Sequence, residues 1–171
     1  MTRDEVYAMT DGELRIKAAE LMGWTKGLGG LPEGAWKTTW YPGDEEETCV
    51  HVESGLTVTR TELNQAFYWR SPEGKRTGYD KYPNSLPDYT NDISEAWPLT
   101  DVAKEHGYSA EISSFRSGVR DIAQCVFKRS DVDWVAEDTS LNGKASPARA
   151  ITRAFIMAMT EEGEDESRDS A

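Results

Sequence analysis

The sequence has 171 residues, enough for one domain that buries roughly two-thirds of the surface of its unfolded chain. Hydrophobic residues make up 37% and charged residues 29%, and the six Trp and seven Tyr exclude global disorder. Asp and Glu outnumber Lys and Arg by 31 to 19, a net charge of -12, which disfavours nucleic acid and favours a basic partner or none.

A first helix is predicted over residues 11–22. Thr10 and Glu13 match a capping box, in which each side chain can bond to the backbone amide of the other residue. Gly23 is placed to end the helix in a left-handed conformation. One apolar stripe is formed by Leu14, Ala18, Leu21 and Met22.

Residues 24–90 are predicted to be rich in loops and short strands. The β-like pieces are AWKTTWY, TCVHVE, LTVTRT and AFYWR. The acidic segment 42–47 is typical of a solvated hairpin tip, and SPEGKRTG predicts a turn around Pro72 and Gly74. GLGGLPEG, residues 27–34, lacks the lysine of a P-loop and the spacing of a dinucleotide fingerprint, so a flexible connector is expected.

A kinked or restarted helix is predicted over residues 92–106, with Asp92 as its cap and Gly107 as its stop. Pro98 would cost a straight helix about 3 kcal/mol, because it lacks an amide donor and its ring clashes with the preceding turn. Burial of the Trp97 ring is expected to hold the distorted backbone. The predicted buried stripe is Ile93, Ala96, Trp97 and Ala103.

An antiparallel hairpin is predicted after Gly107. YSAEISSF and RDIAQCVFK flank Arg116-Ser117-Gly118, and a third short strand fits DWVAE. Both faces of the second strand carry apolar groups, so it is expected to be central and covered on both sides.

The last helix is predicted to begin at Ser146-Pro147, a cap residue followed by the proline preferred at the first helical position. Its core stripe is Ile151, Ala154, Phe155 and Ala158, and Arg149 and Arg153 are expected to share an outer face. Residues 161–171 contain no apolar side chain until the final alanine, which predicts a disordered acidic tail.

The order of LPDYTNDISEAW, a helix ending in glycine, a strand pair and the SPARAITRAFIMAM helix resembles the phage ABA sandwich domain, a group of small phage and prophage proteins. AAELMGWT and FYWRSPEGKRTGYDKYPNSLPDY resemble the same group, which leaves only residues 30–60 outside the likeness. With the hairpin, the resemblance implies an α/β class: one α-β-α sandwich domain over residues 1–160, with a mostly antiparallel sheet and N-terminal, central and C-terminal helices. It implies no reaction and no catalytic residues.

Catalytic and metal signatures are weak. Cys49 and His51 share a strand face, and His106 and Cys125 could complete a zinc site, but such pairs are common by chance. With two histidines and no nucleophile elbow, structural or solvated roles are favoured, so no catalytic residue, metal or cofactor is predicted. The residues MTRDEVYAMTDGELR are too polar for a secretory leader, and the run AITRAFIMAM is too short for a membrane span. A cytoplasmic location with reduced thiols is therefore expected.

An aromatic and basic cluster is the candidate ligand site, because stacking faces beside cations are what a nucleotide pocket uses. The alternative is that the rings only pack loops onto the sheet. The candidate residues are Trp36, Trp40, Trp69, Arg70, Lys75, Arg76, Tyr79 and Lys81.

The sequence thus predicts a small acidic phage or prophage accessory protein that acts by binding in the host bacterial cytoplasm. Its partner would be a host protein with a basic surface, such as a defence factor. The alternative is a sponge that sequesters a nucleotide signal in the aromatic and basic pocket. A hydrolase has no residue-level support.

Overall fold

The structure is a computed structural model. It describes residues 1–39, 46–79, 83–130, 132–140 and 144–168. Contacts divide the chain into two compact units: the first comprises Met1–Met22 with Leu86–Ala171, and the second comprises Gly23–Ser85.

The first unit begins with two short helices, each held by a capping box. The helices are α1 (Arg3–Ala8) and α2 (Asp11–Leu21). The amide of Thr10 donates to the carboxylate of Glu13 at 2.7 Å, and the amide of Glu13 donates to the Thr10 hydroxyl at 3.3 Å. These bonds satisfy two amides that would otherwise lack partners, and they confirm the predicted start of α2.

The sheet of the first unit is a three-stranded antiparallel meander, with β8 in the centre. Its strands are β7 (Ser109–Ser117), β8 (Arg120–Arg129) and β9 (Val132–Ser140). The predicted hairpin, its turn at Gly118 and the third strand are confirmed.

The two faces of β8 differ in burial. Ala123, Cys125 and Phe127 are fully buried, whereas Ile122 and Val126 on the opposite face are only partly buried. The prediction that β8 is central is confirmed, but the prediction that it is covered on both sides is wrong. An antiparallel sheet can leave one face accessible to water, because its backbone hydrogen bonds are made within the sheet.

Helix α5 (Pro147–Arg168) lies at the centre of the first unit, where it packs against α1, α2, β8 and β9. Buried side chains lie all around its turns from residue 148 to residue 158, so this part is not a two-sided helix. The fully or almost fully buried residues are Ala148, Ala150, Ile151, Thr152, Ala154, Phe155, Ile156, Met157 and Ala158. The predicted core stripe is among them.

A partly buried ionic network contains the two arginines that the sequence analysis placed on an outer face of α5. Arg149 makes a bidentate bond to Asp11 at 2.8 and 2.7 Å and contacts Asp138 at 3.1 Å. Arg153 contacts Asp138 at 3.4 Å and donates to the carbonyl of Glu137 at 2.9 Å. The prediction of an outer face is wrong, because these guanidinium groups are partly buried, where carboxylates from α2 and β9 neutralise them.

The acidic C-terminal segment continues α5. The sequence predicts a disordered tail over residues 161–171, but residues 161–168 belong to the helix, so the prediction is wrong for them. Residues 169–171 lie outside the described residues. Glutamate is a good helix former, so an acidic run can extend a helix whose earlier turns are buried.

Helix α4 (Ile93–Glu105) packs on α5, and His106 and Gly107 follow it. Gly107 has φ +83°, a left-handed conformation that glycine adopts without steric cost, so the predicted end is confirmed. Pro98 lies inside this continuous helix. The predicted stripe is only half correct: Ala96 and Ala103 are buried with Leu99 and Thr100, whereas Ile93 and Trp97 are 46% and 49% exposed.

The second unit contains two three-stranded antiparallel sheets among its described residues. One has the order β1 (Thr25–Leu28), β5 (Phe67–Arg70), β6 (Arg76–Tyr79). The other has the order β2 (Trp36–Thr39), β3 (Thr48–His51), β4 (Thr57–Thr59). Helix α3 (Arg60–Ala66) connects β4 to β5 and begins at a capping box of Thr59 and Glu62. The sequence analysis predicts neither α3 nor β1, although the spacing of Thr59 and Glu62 is a local signal for the start of α3.

The mixed α/β class, the antiparallel sheets and the N-terminal, central and C-terminal helices are confirmed. The turn at Pro72 and Gly74 is also confirmed, as the connection between β5 and β6. The predicted acidic hairpin tip falls largely on residues 40–45, outside the described residues. Within the described part of the chain, no helix combines the length and apolar character needed to cross a membrane.

Candidate interaction surface

The solvent-facing side of α4 carries a row of residues spaced four apart, which are neighbours on a helix surface. We call Ile93, Trp97, Asp101 and Glu105 the outer row. All four are exposed, and they change from apolar to acidic along the helix. A half-exposed tryptophan beside an exposed isoleucine is an apolar patch of the kind that marks interaction sites.

The same helix and its cap carry an excess of acidic groups. Asp92 and Glu95 are exposed near the start of α4, and Lys104 is the helix's only cation. The Lys104 ammonium lies 2.8 Å from the Asp101 carboxylate, but both side chains are more than half exposed. Such a pair is weak and can be exchanged for a partner's cation. The outer row therefore presents an apolar anchor within an excess of negative charge.

Local hydrogen bonds fix the backbone that carries Trp97. The carboxylate of Asp92 accepts from the amide of Ser94 at 2.8 Å and from its hydroxyl at 2.6 Å. These hydrogen bonds, led by that of the hydroxyl, lower the pKa of Asp92, so this cap is charged at neutral pH. The hydroxyl of Thr100 donates to the carbonyl of Trp97 at 2.8 Å.

Pro98 is tolerated because its surroundings offset the missing hydrogen bond and hold the backbone on its C-terminal side. Pro98 is exposed, so the Ser94 carbonyl that it leaves without a helical donor can be hydrated. Leu99 and Thr100, which follow it, are buried and hold the next turn in place. Burial of Trp97 is not what holds this backbone, so its indole is available for another contact.

Of the predicted aromatic residues, Trp36 and Trp69 have described side chains, and these two do not share one exposed stacking surface. Trp69 is only 1% exposed, and the Lys26 ammonium lies 4.7 Å from the centre of its ring. Trp36 belongs to the other sheet, where its ring centre lies 5.1 Å from that of His51. Cavities of about 430 and 330 Å³ among the described residues are lined by other side chains.

The basic members of the predicted site lie on or beside the hairpin of β5 and β6. Arg70 and Arg76 are opposite each other in the strand register, and Lys75 is exposed in the connecting turn. Tyr79 ends β6, but its side chain is not described. Trp40 and Lys81 lie outside the described residues. The structure thus brings together the two arginines of the set.

Two residues of the candidate zinc site, Cys125 and His51, are in environments that disfavour metal binding. Burial raises the pKa of the Cys125 thiol to about 12, which opposes the thiolate form that binds metals and attacks electrophiles. Both ring nitrogens of His51 are engaged, by Ser54 at 2.9 Å and by the Glu33 carbonyl at 3.1 Å. In the described ranges, no three potential metal ligands come together.

The outer row was missed by sequence reasoning. Besides Pro98, six apolar residues of α4, at positions 93, 96, 97, 99, 102 and 103, are too widely spread around the helix for all of them to face one neighbour. This angular spread indicates that some apolar residues of α4 face solvent. The acidic residues beside Trp97 add to it, because carboxylates stay in water unless they are paired.

No family model matches the chain, and no curated protein or solved structure matches it either. The resemblance to the phage ABA sandwich domain stays a prediction.

Proposed function

We propose that this chain is a binding protein whose outer row on α4 occupies a basic, partly apolar surface of a bacterial protein. The observation that carries the proposal is the half-exposed Trp97, next to Ile93 and followed by Asp101 and Glu105 on the same row. Tryptophan is enriched among the residues that dominate interface energies, since one ring buries a large area with few rotatable bonds.

The charge of the chain selects the partner. At a net charge of -12, long-range attraction speeds the approach of a basic protein and repels nucleic acid and anionic lipid. A second copy would bring two acidic rows together, which is unfavourable. The resemblance to a group of phage and prophage proteins would make the partner a host factor in the bacterial cytoplasm. Opposing a defence factor by covering its basic site is a role that needs binding and no catalytic group.

A variant-controlled capture experiment tests the proposal. The full chain and its Trp97→Ala and Glu105→Lys variants are immobilised and exposed to bacterial lysate at about 50 and 500 mM salt, spanning the screening range. Val119→Ser is the matched control, because Val119 is 76% exposed on the β7–β8 turn of the same unit. We expect a partner that wild type and Val119→Ser retain, that Trp97→Ala loses, and that Glu105→Lys and high salt weaken.

The retained protein is then purified and its affinity for each variant is measured. The proposal fails if the same proteins bind wild type and Trp97→Ala equally, or if retention is insensitive to salt. It also fails if light scattering shows that the chain forms a dimer that Trp97→Ala dissociates, because the row would then serve self-association.

A further inference from the structure

The hairpin of β5 and β6 places two positive charges directly opposite each other. Arg70 and Arg76 are register partners on neighbouring strands. Their side chains therefore project from the same face of the sheet, with Cβ atoms about 5 Å apart. Like charges in this arrangement destabilise a hairpin. The repulsion between Arg70 and Arg76 would be relieved by an anion bound between them.

Neither guanidinium group reaches a carboxylate among the described residues, although the chain contains 31 acidic residues. Glu73 lies in the connecting turn, but its carboxylate accepts from the Ser71 hydroxyl at 2.7 Å. Lys75 adds a further positive charge beside the pair. The face of the hairpin therefore has a local excess of positive charge within an acidic protein.

Both arginines are held in place by one buried ring. The guanidinium carbon of Arg76 lies 4.5 Å from the centre of Tyr68, and that of Arg70 lies 5.9 Å from it. Arg70 also donates to the Tyr68 hydroxyl at 3.0 Å. These contacts hold the two guanidinium groups before any ligand arrives, which reduces the entropy lost on binding.

The position of the ring depends on the glycine beneath it. In β1, Gly27 pairs with Tyr68, and a Cβ atom at Gly27 would lie 2.4 Å from the Cζ atom of the ring. Any other residue at position 27 would displace Tyr68 and, with it, both arginines. The sequence GLGG, which suggests a flexible connector, contributes this glycine to a strand.

We infer that Arg70 and Arg76 bind a phosphate group between them, at a site distinct from the outer row of α4. A guanidinium fork matches the oxygens of a phosphate, and two forks balance the charge of its dianion. The ligand is recognised by its phosphate and not by a base. Tyr68 is already covered by Arg76, and Trp69 lies buried under Lys26.

The test is calorimetric titration of the full chain with inorganic phosphate, and separately with nucleoside 5′-monophosphates of different bases. We expect each ligand to bind, with similar affinities for different bases. Arg70→Gln and Arg76→Gln should each weaken binding about tenfold, as expected for one lost charge-assisted interaction. Arg120→Gln is the matched control, because Arg120 is an exposed arginine at the start of β8.

Two further measurements keep the test decisive if a glutamine variant unfolds. Arg76→Lys keeps the charge and loses the fork, and it should weaken binding less than Arg76→Gln does. In the wild type, phosphate should shift the side-chain Nε–H resonances of Arg70 and Arg76 and leave that of Arg120 unchanged. The inference is overturned if phosphate does not bind, if Arg120→Gln weakens binding as much as Arg76→Gln, or if affinity depends on the base alone.

Discussion

Helices α4 and α5 pack against each other, yet they place their apolar side chains differently. Phe155 and its neighbours on α5 are buried on all sides, whereas α4 buries one side and exposes Ile93 and Trp97 on the other. The apolar residues of α5 stabilise the fold, because burial of apolar surface is the main favourable term in folding. Those of the outer row add little to stability and are free to contact a partner. Substitutions in the two helices test this difference, because those in α5 should lower the free energy of unfolding and those in the outer row should weaken binding.

The largest loss of stability is expected from Phe155→Ala. Phe155 is fully buried, so the substitution leaves a cavity in the core and should lower the free energy of unfolding by about 3–5 kcal/mol. Urea denaturation followed by circular dichroism measures the loss. Phe115→Ala is the control, because Phe115 is 47% exposed in β7, and its loss should be below about 1 kcal/mol. Equal losses would contradict the assignment of α5 as the core.

A somewhat smaller loss is expected from Asp138→Ala. The Asp138 carboxylate contacts Arg149 and Arg153 and accepts from the amide of Ser146 at 2.7 Å. Removing it leaves the partly buried Arg153 without a carboxylate and leaves Arg149 with Asp11 alone, at a cost of about 3 kcal/mol. Asp133→Ala, at an exposed position in the same strand, should change the unfolding free energy by less than about 0.5 kcal/mol. A tolerated Asp138→Ala would mean that the ionic network is not needed.

A smaller loss is expected at the start of α2. Thr10→Ala removes the cap and should lower the free energy of unfolding, measured by urea denaturation, by about 1 kcal/mol. Thr10→Ser keeps a capping hydroxyl and should retain most of that stability. Hydrogen bonds from Thr10, led by that of its backbone amide, lower the pKa of Glu13 below its usual value of 4.5. The stability that Glu13 adds is therefore present above pH 4.5 and is lost as the pH falls through the lowered pKa. The difference between wild type and Glu13→Gln should disappear at that pH, and a difference that grows there would contradict the capping box.

The smallest change in stability is expected from Trp97→Ala. Trp97 is 49% exposed, so about half of the indole is lost from contact with the protein, and the substitution should lower the free energy of unfolding by less than about 1 kcal/mol. Its melting midpoint should stay within a few degrees of that of wild type. A loss of about 3 kcal/mol, the size expected for a core ring, would show that Trp97 is part of the core.

The elements that could be predicted from the sequence are those with local signals. Thr10 and Glu13, Asp92 and Gly107, and Ser146-Pro147 mark helix ends through contacts between residues a few positions apart. These features do not depend on distant parts of the chain, so their spacing is sufficient to locate them.

Features that depend on distant partners could not be predicted. Arg149 becomes part of the ionic network because Asp11 lies beside it, 138 positions earlier in the chain. The pairing of β1 with β5 joins Gly27 to Tyr68 across α3 and three other strands, and no local pattern indicates it. The exposure of Trp97 also depends on a distant part of the chain, because the packing of α4 on α5 decides which side of α4 is buried.

The outer row is tested most directly by measuring, on the same variant, the affinity for the purified partner and the free energy of unfolding. For Trp97→Ala, the account predicts at least tenfold weaker binding, as for an interface hot spot, with an unfolding free energy lowered by less than about 1 kcal/mol. Undiminished binding by Trp97→Ala would contradict it. So would a loss of folding stability large enough to account for the loss of binding.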